Sequence, residues 1–458
     1  MFVKLDTHTF VRYSEHYVHI ANVLSCKECC FDSTGKEWMQ LLSYDYQSVD
    51  SLVDKLCLLY EGEISRQTLI DDYKAFLIQL QENHIVVFSE DNIDDLNKAD
   101  ISDRKKNSCN AQLYALTMEI TDRCNERCIH CYIPDHIKSK GANISFSKFI
   151  QIVDEFAEMG GMHITITGGE ITTHKQYLSM IKYCKDKGLS VGLITNLYNI
   201  SNEDLSEIVK MSVDSVQVSL YSICPSIHDK ITTIQGSCDK TLANINYLIS
   251  RKIPVTIATP LMKTNYESFI DVLTFAKSKA INVRMEPIIL AQDNFAKDKL
   301  SERLSIKEAK LIFERIAQFD LDYLKEQCFH ETMDDTPDFN LLNYLNTSPC
   351  EIGKSQLCVT AKGKVTACTG FTEFIVGDTQ DQTLSHIWKT SKNLNRLRHI
   401  SEADFQKCVS CEYSNYCLRC VKRNYNESGG NLFALTPHFC EMAKLSKQII
   451  EKYKKTKT

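Results

Sequence analysis

An α/β fold with a largely parallel sheet is predicted for the middle of this 458-residue chain. Two observations predict it: short β-rich runs recur along the segment, and apolar residues at helical spacing lie between them. The six runs occupy residues 116–121, 163–167, 191–195, 216–220, 255–259 and 282–287. Six βα units favour a parallel sheet, either open or closed into part of a barrel. Chemistry is expected at the carboxyl ends of these strands.

The rest of the chain divides around this segment. The first residues alternate in short apolar runs and then show amphipathic stretches at 38–42, 53–59 and 69–80, which predicts a small sheet followed by helices. A polar and charged stretch comes next and predicts a linker. The predicted boundaries are 1–90 for an N-terminal domain, 91–112 for the linker, 113–300 for the βα region, 301–349 for a bridge and 350–458 for a cysteine-rich C-terminal domain.

Composition narrows the classes of function. The chain has 53 basic and 59 acidic residues and a formal net charge of −6, which argues against nucleic acid as the main partner. No apolar run approaches the roughly 18 residues of a membrane span, and the first residues do not resemble a signal peptide. We therefore expect a cytoplasmic protein without a membrane partner. Twenty cysteines in a compartment where disulfides are rare indicate metal or redox chemistry.

Three cysteines follow the first predicted strand. The stretch TDRCNERCIHCY places Cys124, Cys128 and Cys131 at CxxxCxxC spacing. Three thiolates on such a loop can bind three irons of a four-iron cluster and leave the fourth iron open for a small molecule. One apolar face of a helix would share this spacing, but polar and charged residues surround the cysteines. Zinc would need a fourth ligand, and His130 lies awkwardly between two of the cysteines.

This loop resembles the hallmark of the radical SAM superfamily, CxxxCxΦC, with His130 in the place of the Φ residue. The resemblance implies a partial (β/α)6 TIM-like barrel that binds S-adenosylmethionine at a four-iron cluster. It also implies reductive cleavage of that cofactor to a 5′-deoxyadenosyl radical. An external electron donor of the flavodoxin or ferredoxin type is then an expected partner.

Further matches to the superfamily lie at the ends of the predicted strands. Gly168, Gly169 and Glu170 match its GGE motif, which receives the amino group of S-adenosylmethionine, because glycines let backbone approach a ligand and a carboxylate complements an ammonium. Ile171 replaces the family's usual proline, and Leu197 replaces its usual glycine. The resemblance assigns the cofactor contacts to Gly168, Gly169, Glu170, Thr195, Asn196, Ser219, Met262 and Asn265, together with His130.

The C-terminal cysteines follow a second pattern. They are, in order, Cys350, Cys368, Cys408, Cys411, Cys417, Cys420 and Cys440, with Gly363 twelve residues after the first. This order and spacing resemble the SPASM domain, with one departure, since two residues rather than three separate Cys417 from Cys420. Zinc is the main alternative because CVSC and CLRC are zinc-like pairs, yet zinc leaves the other three cysteines unexplained.

The SPASM resemblance implies two auxiliary four-iron clusters, which makes three clusters with the radical cluster. It assigns Cys408, Cys411, Cys417 and Cys440 to a distal cluster, and Cys350, Cys368 and Cys420 to a proximal cluster. One proximal iron then has no assigned ligand. Cys358 could bind it, but the alternating run around Cys358 is typical of a strand with a buried thiol. We therefore expect that iron to be open.

The N-terminal domain is similar, in element order and position, to the PqqD-like winged helix-turn-helix that binds leader peptides of ribosomally made peptides. In that family an extended leader adds a strand to a sheet edge and packs on the third helix. The corresponding segments here are Cys26–Asp32 and Gln67–His84. A winged helix that binds DNA or only stabilises the enzyme is the alternative.

Together the resemblances predict a radical SAM enzyme that modifies a precursor peptide carrying a leader, similar to the thioether-forming maturases of sactipeptides and ranthipeptides. An oxidative thioether cross-link is preferred because an open auxiliary iron could bind a substrate thiolate. A carbon–carbon cross-link, or maturation of a quinone cofactor or a sulfatase, would use the same clusters. A non-catalytic iron–sulfur or zinc regulator would share only the cysteines, and the strand-end motifs argue against it.

Overall fold

The computed structural model describes residues 1–13, 16–22, 25, 27–60, 64–89, 111–292, 294–330 and 337–455. The chain forms two compact units. The N-terminal unit comprises Met1–Ser108, His330–Pro349 and Ile400–Leu418, and the sheet unit comprises Cys109–Phe329, Cys350–His399 and Arg419–Thr458. The predicted linker, 91–112, lies almost entirely outside the described residues, and so does Cys26 of the predicted leader-binding edge.

The first elements form two small antiparallel sheets and three helices. They are β1 (Phe2–Leu5), β2 (Thr9–Tyr13), β3 (Val18–Asn22), β4 (Lys27–Phe31), α1 (Ser33–Met39), β5 (Gln47–Ser48), α2 (Val49–Leu59), α3 (Arg66–Glu82) and β6 (Val86–Ser89). One sheet has the order β5-β1-β6 and the other β2-β3-β4. The predicted amphipathic stretches overlap the three helices, but β5 and β6 come after α1 and return to pair with β1.

The βα region follows with a regular alternation. Its elements are β7 (Ala115–Thr121), α4 (Asp135–Lys140), α5 (Phe146–Glu158), β8 (His163–Gly168), α6 (Tyr177–Asp186), β9 (Ser190–Thr195), α7 (Asn202–Lys210), β10 (Ser215–Ser219), α8 (Pro225–Thr232), α9 (Ser237–Ser250), β11 (Val255–Pro260), α10 (Phe269–Ser278), β12 (Asn282–Glu286), α11 (Ile306–Phe319) and α12 (Leu321–Cys328). All six predicted runs are strands, and each bound agrees to within one residue.

Most helices and strands in the last third of the chain are short. They are α13 (Leu341–Leu345), β13 (Gln356–Val359), β14 (Lys364–Thr366), β15 (Ile375–Asp378), α14 (Leu384–Thr390), α15 (Lys392–Arg398), α16 (Gln406–Val409), α17 (Val421–Ser428) and α18 (Pro437–Lys455). Short 3-10 segments lie at Ile171–Thr173, Tyr266–Ser268, Asp298–Glu302, Glu402–Phe405 and Ser414–Tyr416. Within the described ranges, no helix is both long enough and apolar enough to cross a membrane.

One sheet of nine strands, in the order β12-β11-β10-β9-β8-β7-β13-β14-β15, organises the sheet unit. Strands β7 to β12 pair in parallel, which confirms the predicted α/β fold with a parallel sheet. Strand β13 adds to β7 in parallel, so the cysteine-rich segment extends the same sheet. On β7, Leu116, Met118 and Ile120 are buried on one face, while Thr117 and Glu119 on the other face are only partly buried.

The N-terminal unit contains two cores, one on each face of β3. Val18 and Ile20 pack into the core formed with the three helices. Ala21 packs into a second core with Leu341 of α13 and Val409 of α16. Parts of the predicted bridge and C-terminal domain therefore share a core with the N-terminal strands. The units divide the predicted bridge before His330 and separate Ile400–Leu418 from the rest of the predicted C-terminal domain. No local pattern marks such packing, because it joins distant segments.

Candidate active site

The loop that carries the first three cysteines starts directly after β7, where the carboxyl ends of the parallel strands meet. Backbone hydrogen bonds hold it at both ends, from Cys124 N to Lys138 O at 3.2 Å and from Ile129 N to Ile231 O at 3.0 Å. Cys124 and Cys131 are half-buried and Cys128 is buried. The strand order thus places all three thiols at the edge of the sheet where chemistry is expected.

The three thiols lie close enough to influence one another electrostatically. Burial raises the pKa of Cys124 to about 12, and the neighbouring Cys131 contributes to that rise. Burial also raises the pKa of Cys128 well above its usual value, with contributions from Cys124 and Cys131. Such crowded thiols become thiolates only beside a compensating positive charge, which iron supplies when a cluster is bound. The residues present therefore fit the cluster that the spacing predicts.

Glu170 connects the second and third strands of the sheet at the same edge. Its carboxylate accepts hydrogen bonds from the Thr195 hydroxyl at 2.7 Å, from Asn196 N at 2.7 Å and from Thr172 N at 3.1 Å. The side chain is 2% exposed, and burial raises the pKa of Glu170 against these stabilising hydrogen bonds. The carboxylate therefore anchors the β8 and β9 ends together, a structural role beyond the predicted contact to an amino group.

Asn196 links this network to the cysteine loop. Its Nδ2 donates to Asn125 Oδ1 at 2.8 Å, next to Cys124. Leu197, which stands where the family has glycine, has a φ of +54°, in the left-handed region that favours glycine. The structure thus brings the predicted Glu170, Thr195 and Asn196 into one hydrogen-bonded group with the loop, and it keeps the turn despite the departure at Leu197.

Gly168 and Gly169 allow β8 to approach the end of β7. A Cβ at Gly168, whose φ is +151°, would lie 2.3 Å from Thr121 O, and a Cβ at Gly169 would lie 2.3 Å from Arg123 O. Gly169 N also donates to Thr121 O at 2.8 Å. The sequence interpretation expected the glycines to admit a ligand. The structure shows that they also admit the backbone that leads into the cysteine loop, and the contact with a ligand stays a prediction.

We expect Gly169→Ala to displace that backbone. The clash should lower the free energy of unfolding by about 1–3 kcal/mol and strongly reduce cleavage of S-adenosylmethionine, because Arg123 precedes Cys124 directly. Gly188→Ala is the matched control, since its φ of +74° strains alanine while nothing lies within 4 Å of the new methyl. The control should lose stability but keep cleavage. Equal cleavage by both variants in a 5′-deoxyadenosine assay would contradict the role of Gly169.

Tyr221 is a site residue that sequence reasoning missed. Its hydroxyl lies 3.7 Å from Cys128 Sγ, and it also interacts with Ser219, the predicted contact at the end of β10. Its ring stacks on His228 at a centroid distance of 5.3 Å and meets His130 edge-on at 4.9 Å. Its position in the sequence could have identified it, because Tyr221 comes two residues after the end of β10, where site residues are expected. Its hydroxyl and its ring therefore lie against the cysteine loop.

His130 and Met262 line the same region. Burial lowers the pKa of His130 to about 3, with Lys138 and Lys299 contributing. Met262 is fully buried in one apolar cluster with Cys128 and Tyr221. His130 is thus part of the cysteine loop, and Met262 packs in the apolar cluster beside it.

The side-chain amide of Asn265 forms hydrogen bonds with backbone groups. Its Oδ1 accepts from Met262 N at 2.8 Å, and its Nδ2 donates to Tyr221 O at 2.9 Å and to Pro260 O at 3.0 Å. The side chain is 1% exposed. Asn265 therefore fixes the segment that carries Met262 against the segment that carries Tyr221, which is a positioning role.

The cysteines predicted for the proximal cluster come together in the sheet unit. Burial raises the pKa of Cys350 to about 11, with contributions from Cys420 and Cys368. Burial likewise raises the pKa of Cys368, and the Lys422 ammonium lowers it. These mutual influences are those expected of shared ligands, and the assignment of the three thiols to one cluster stays a prediction.

Cys358 lies in strand β13 and is 1% exposed, as the alternating pattern predicts. Its register partner on β7 is Thr117, so its side chain shares a sheet face with Thr117 and Glu119. Burial raises its pKa well above the usual value, and both Glu119 and Cys368 contribute. The thiol is buried, but it lies beside a predicted proximal ligand.

The cysteines predicted for the distal cluster are divided between the two units. Cys408, Cys411 and Cys417 belong to the N-terminal unit, where Cys411 N donates to Cys408 O at 3.2 Å and closes the CxxC turn. Cys440 lies in α18 of the sheet unit. The assignment of these four cysteines to one cluster stays a prediction.

Residues 118–276, which include the first cysteine loop and the Glu170 network, match the Radical SAM superfamily. Residues 350–420 match SPASM, an iron-sulfur cluster-binding domain. The chain carries a radical SAM domain and a SPASM domain. The radical SAM domain explains why the motifs converge at the carboxyl ends of β7, β8 and β9, and it makes S-adenosylmethionine and iron–sulfur clusters the cofactors of this enzyme.

Relatives of this radical SAM chain act on different substrates. An AdoMet-dependent heme synthase of Nitratidesulfovibrio vulgaris is 25% identical over 336 residues, covering 69% of this chain and 89% of the relative. A PqqA peptide cyclase of Bradyrhizobium diazoefficiens is 23% identical over 310 residues, covering 65% and 78%. Streptococcus suis SuiB bound to its precursor peptide SuiA shares the fold, with a TM-score of 0.54 and 12% identity over 96% of this chain and 99% of SuiB.

Proposed function

We propose that this enzyme modifies a ribosomally made precursor peptide and forms an oxidative thioether cross-link. The observation that carries the proposal is the outer position of β4 in the N-terminal unit. Among the described strands, β4 pairs with β3 alone and is the edge strand of its sheet. An extended leader can add a further strand at such an edge. The similarity to a peptide cyclase and to the fold of SuiB supports a peptide substrate.

The third helix lies beside this edge, as leader binding requires. Phe31 of β4 contacts Phe76 of α3 edge-on, with ring centroids 5.1 Å apart. Cys29 packs on the same core, whereas Lys27 and Glu28 are exposed. A leader strand beside β4 would therefore meet an apolar strip on its α3 side and charged side chains at one end. This arrangement supports the winged helix-turn-helix interpretation of the N-terminal unit.

In the proposed reaction each residue group has a distinct task. Cys124, Cys128 and Cys131 hold the radical cluster, Glu170 and Asn196 fix the strand ends around it, and Tyr221 excludes water beside it. When bound, the cofactors would supply the radical chemistry that removes a hydrogen atom from a peptide carbon and would accept the electron released as that carbon bonds to sulfur. The thiol proton leaves to solvent.

Mass spectrometry of the product tests this proposal. The anaerobically reconstituted enzyme, reduced by a flavodoxin or by dithionite, is incubated with peptides translated from short reading frames adjacent to its gene. A thioether requires loss of two hydrogen atoms from a cysteine-containing peptide and disappearance of one free thiol. Loss of two hydrogen atoms with every thiol still free would identify a carbon–carbon cross-link instead. A porphyrin is tested as a second substrate because one relative is a heme synthase. Conversion of the porphyrin with no peptide modified would overturn the peptide assignment.

Removing the leader from the precursor should lower the modification rate by about a hundredfold or more, because reaction at the core then loses intramolecular delivery. Adding the leader as a separate peptide should slow hydrogen exchange in Lys27–Phe31, since edge amides become paired. A scrambled leader is the control. Deleting residues 1–90 is the poorer experiment, because it would expose the second core around Leu341 and Val409. Full activity on the leaderless peptide would contradict leader recognition.

A further inference from the structure

Helix α17 starts immediately after Cys420, one of the predicted proximal ligands. Cys420 is the N-cap residue, and its carbonyl accepts the first helical hydrogen bond, from Asn424 N at 3.1 Å. The helix ends at Ser428, and Gly429 after it has a φ of +75°, the left-handed conformation typical of the residue that follows a helix. Any rotation or shift of α17 therefore moves Cys420 with it.

One side of α17 binds the segment that follows Cys368. The Lys422 ammonium donates to Thr369 O at 3.1 Å, and Asn426 Nδ2 donates to Gly370 O at 3.1 Å. Residues 422 and 426 are four apart and so lie on one face of the helix. This face joins two of the predicted proximal ligands, Cys368 and Cys420, into one rigid group.

The adjacent face of α17 contacts β12 and the segment that follows it. Arg423 pairs with Glu286 at the end of β12, with a distance of 2.6 Å between Nη2 and Oε2. One turn further on, Glu427 Oε1 pairs with Arg303 at 2.5 Å and accepts from Ala291 N at 2.8 Å. The side chains of Glu427 and Arg303 are 5% and 13% exposed, so little solvent screens this ion pair.

The segment bound by Glu427 continues to the radical cluster loop. Gln292, next to Ala291, donates from Nε2 to Cys131 O at 3.2 Å. Arg303 Nε donates to Ile289 O at 2.7 Å, and Ile289 packs in the apolar cluster that contains Cys128. The residues 287–303 thus contact both α17 and the loop that carries the radical SAM cysteines.

We propose that Glu427 and Arg303 are positioning residues that fix the proximal auxiliary cysteines relative to the radical cluster loop. The inference rests on the proposed function, because it takes Cys368 and Cys420 as auxiliary ligands. Its physical basis is that a displacement of about 1 Å between reacting groups costs roughly a hundredfold in rate. A loosened α17 would let radical formation proceed while the later oxidation of the peptide fails.

Glu427→Gln tests this assignment, because the amide keeps an oxygen for Ala291 N and loses the charge that holds Arg303. In the protein without peptide or S-adenosylmethionine, hydrogen exchange in residues 287–303 should accelerate by about tenfold or more. In the loaded enzyme, the ratio of 5′-deoxyadenosine to modified peptide should rise several-fold at unchanged iron content. The double variant Arg303→Met/Glu427→Leu, which leaves no buried charge unpaired, should fold and show the same two changes.

Glu314→Gln is the matched control, because Glu314 joins α11 to Lys452 of α18 in an exposed ion pair. It should change neither hydrogen exchange in 287–303 nor the product ratio. Unchanged exchange in both Glu427 variants, or accelerated exchange with an unchanged product ratio, would overturn the positioning role. If the wild-type enzyme modifies no peptide, the proposed function fails, while the exchange measurement still decides whether the ion pair holds this segment.

Discussion

Replacing Cys124, Cys128 and Cys131 together by alanine is expected to remove all cleavage of S-adenosylmethionine and about one third of the iron. These three thiols are the only assigned ligands of the radical cluster, and the other seven assigned cysteines lie elsewhere in the chain. The wild-type protein, reconstituted anaerobically, should therefore contain about twelve irons per chain and the variant about eight. Iron analysis and a 5′-deoxyadenosine assay measure the two effects.

The control for this experiment is a second set of buried thiols. Cys184 and Cys238 are fully buried, and burial raises the pKa of each to about 12, but neither belongs to an assigned cluster. Their joint replacement by alanine should cost stability through small cavities and leave the iron content unchanged. A triple variant that still produced 5′-deoxyadenosine would refute the assignment of the radical cluster. Equal iron loss in the control would show that the loss reflects unfolding.

The sequence predicted the central sheet well because its signal is local. Alternating runs such as HITIT and VTIAT carry both their strand character and their buried face within a few residues. Strand ends in a parallel sheet necessarily share one edge, so Glu170, Thr195 and the cysteine loop could be placed together before any distance was known. The radical SAM part of the site is accordingly the part that the sequence anticipated best.

What the sequence could not show depends on contacts between distant residues. The role of Gly169 depends on the position of Arg123 O, and the role of Tyr221 depends on the direction of its hydroxyl toward Cys128. Neither is encoded in spacing along one strand. The core of the N-terminal unit also depends on distant residues, since Ala21 packs with Leu341, more than three hundred residues away. Periodicity reports which face is buried, not what buries it.

Replacing Cys358 by serine or alanine is expected to remove the iron of the proximal cluster, about one third of the total. The alternating sequence around Cys358 favoured a thiol apart from the cluster and therefore an open iron. The surroundings of Cys358 in β13 are the reason to expect the opposite outcome. Cys368 contributes to the raised pKa of Cys358, and it also contributes to the raised pKa of Cys350. We therefore expect Cys358 to be the fourth ligand of the proximal cluster. Cys184→Ser is the control, because Cys184 is as deeply buried as Cys358 and belongs to no assigned cluster.

The outcome at Cys358 decides how a thioether could form. If the Cys358 variant loses the proximal cluster, all four irons of that cluster have protein ligands in the wild-type enzyme. A substrate thiolate then has no iron to bind. The carbon radical would then have to meet a free substrate sulfur, with the auxiliary cluster acting only as electron acceptor, and a cysteine-containing precursor should leave its spectrum unchanged. If iron content and activity survive the substitution, the site is open, as the sequence predicted. The same precursor should then perturb the auxiliary-cluster spectrum, because its thiolate becomes the missing ligand.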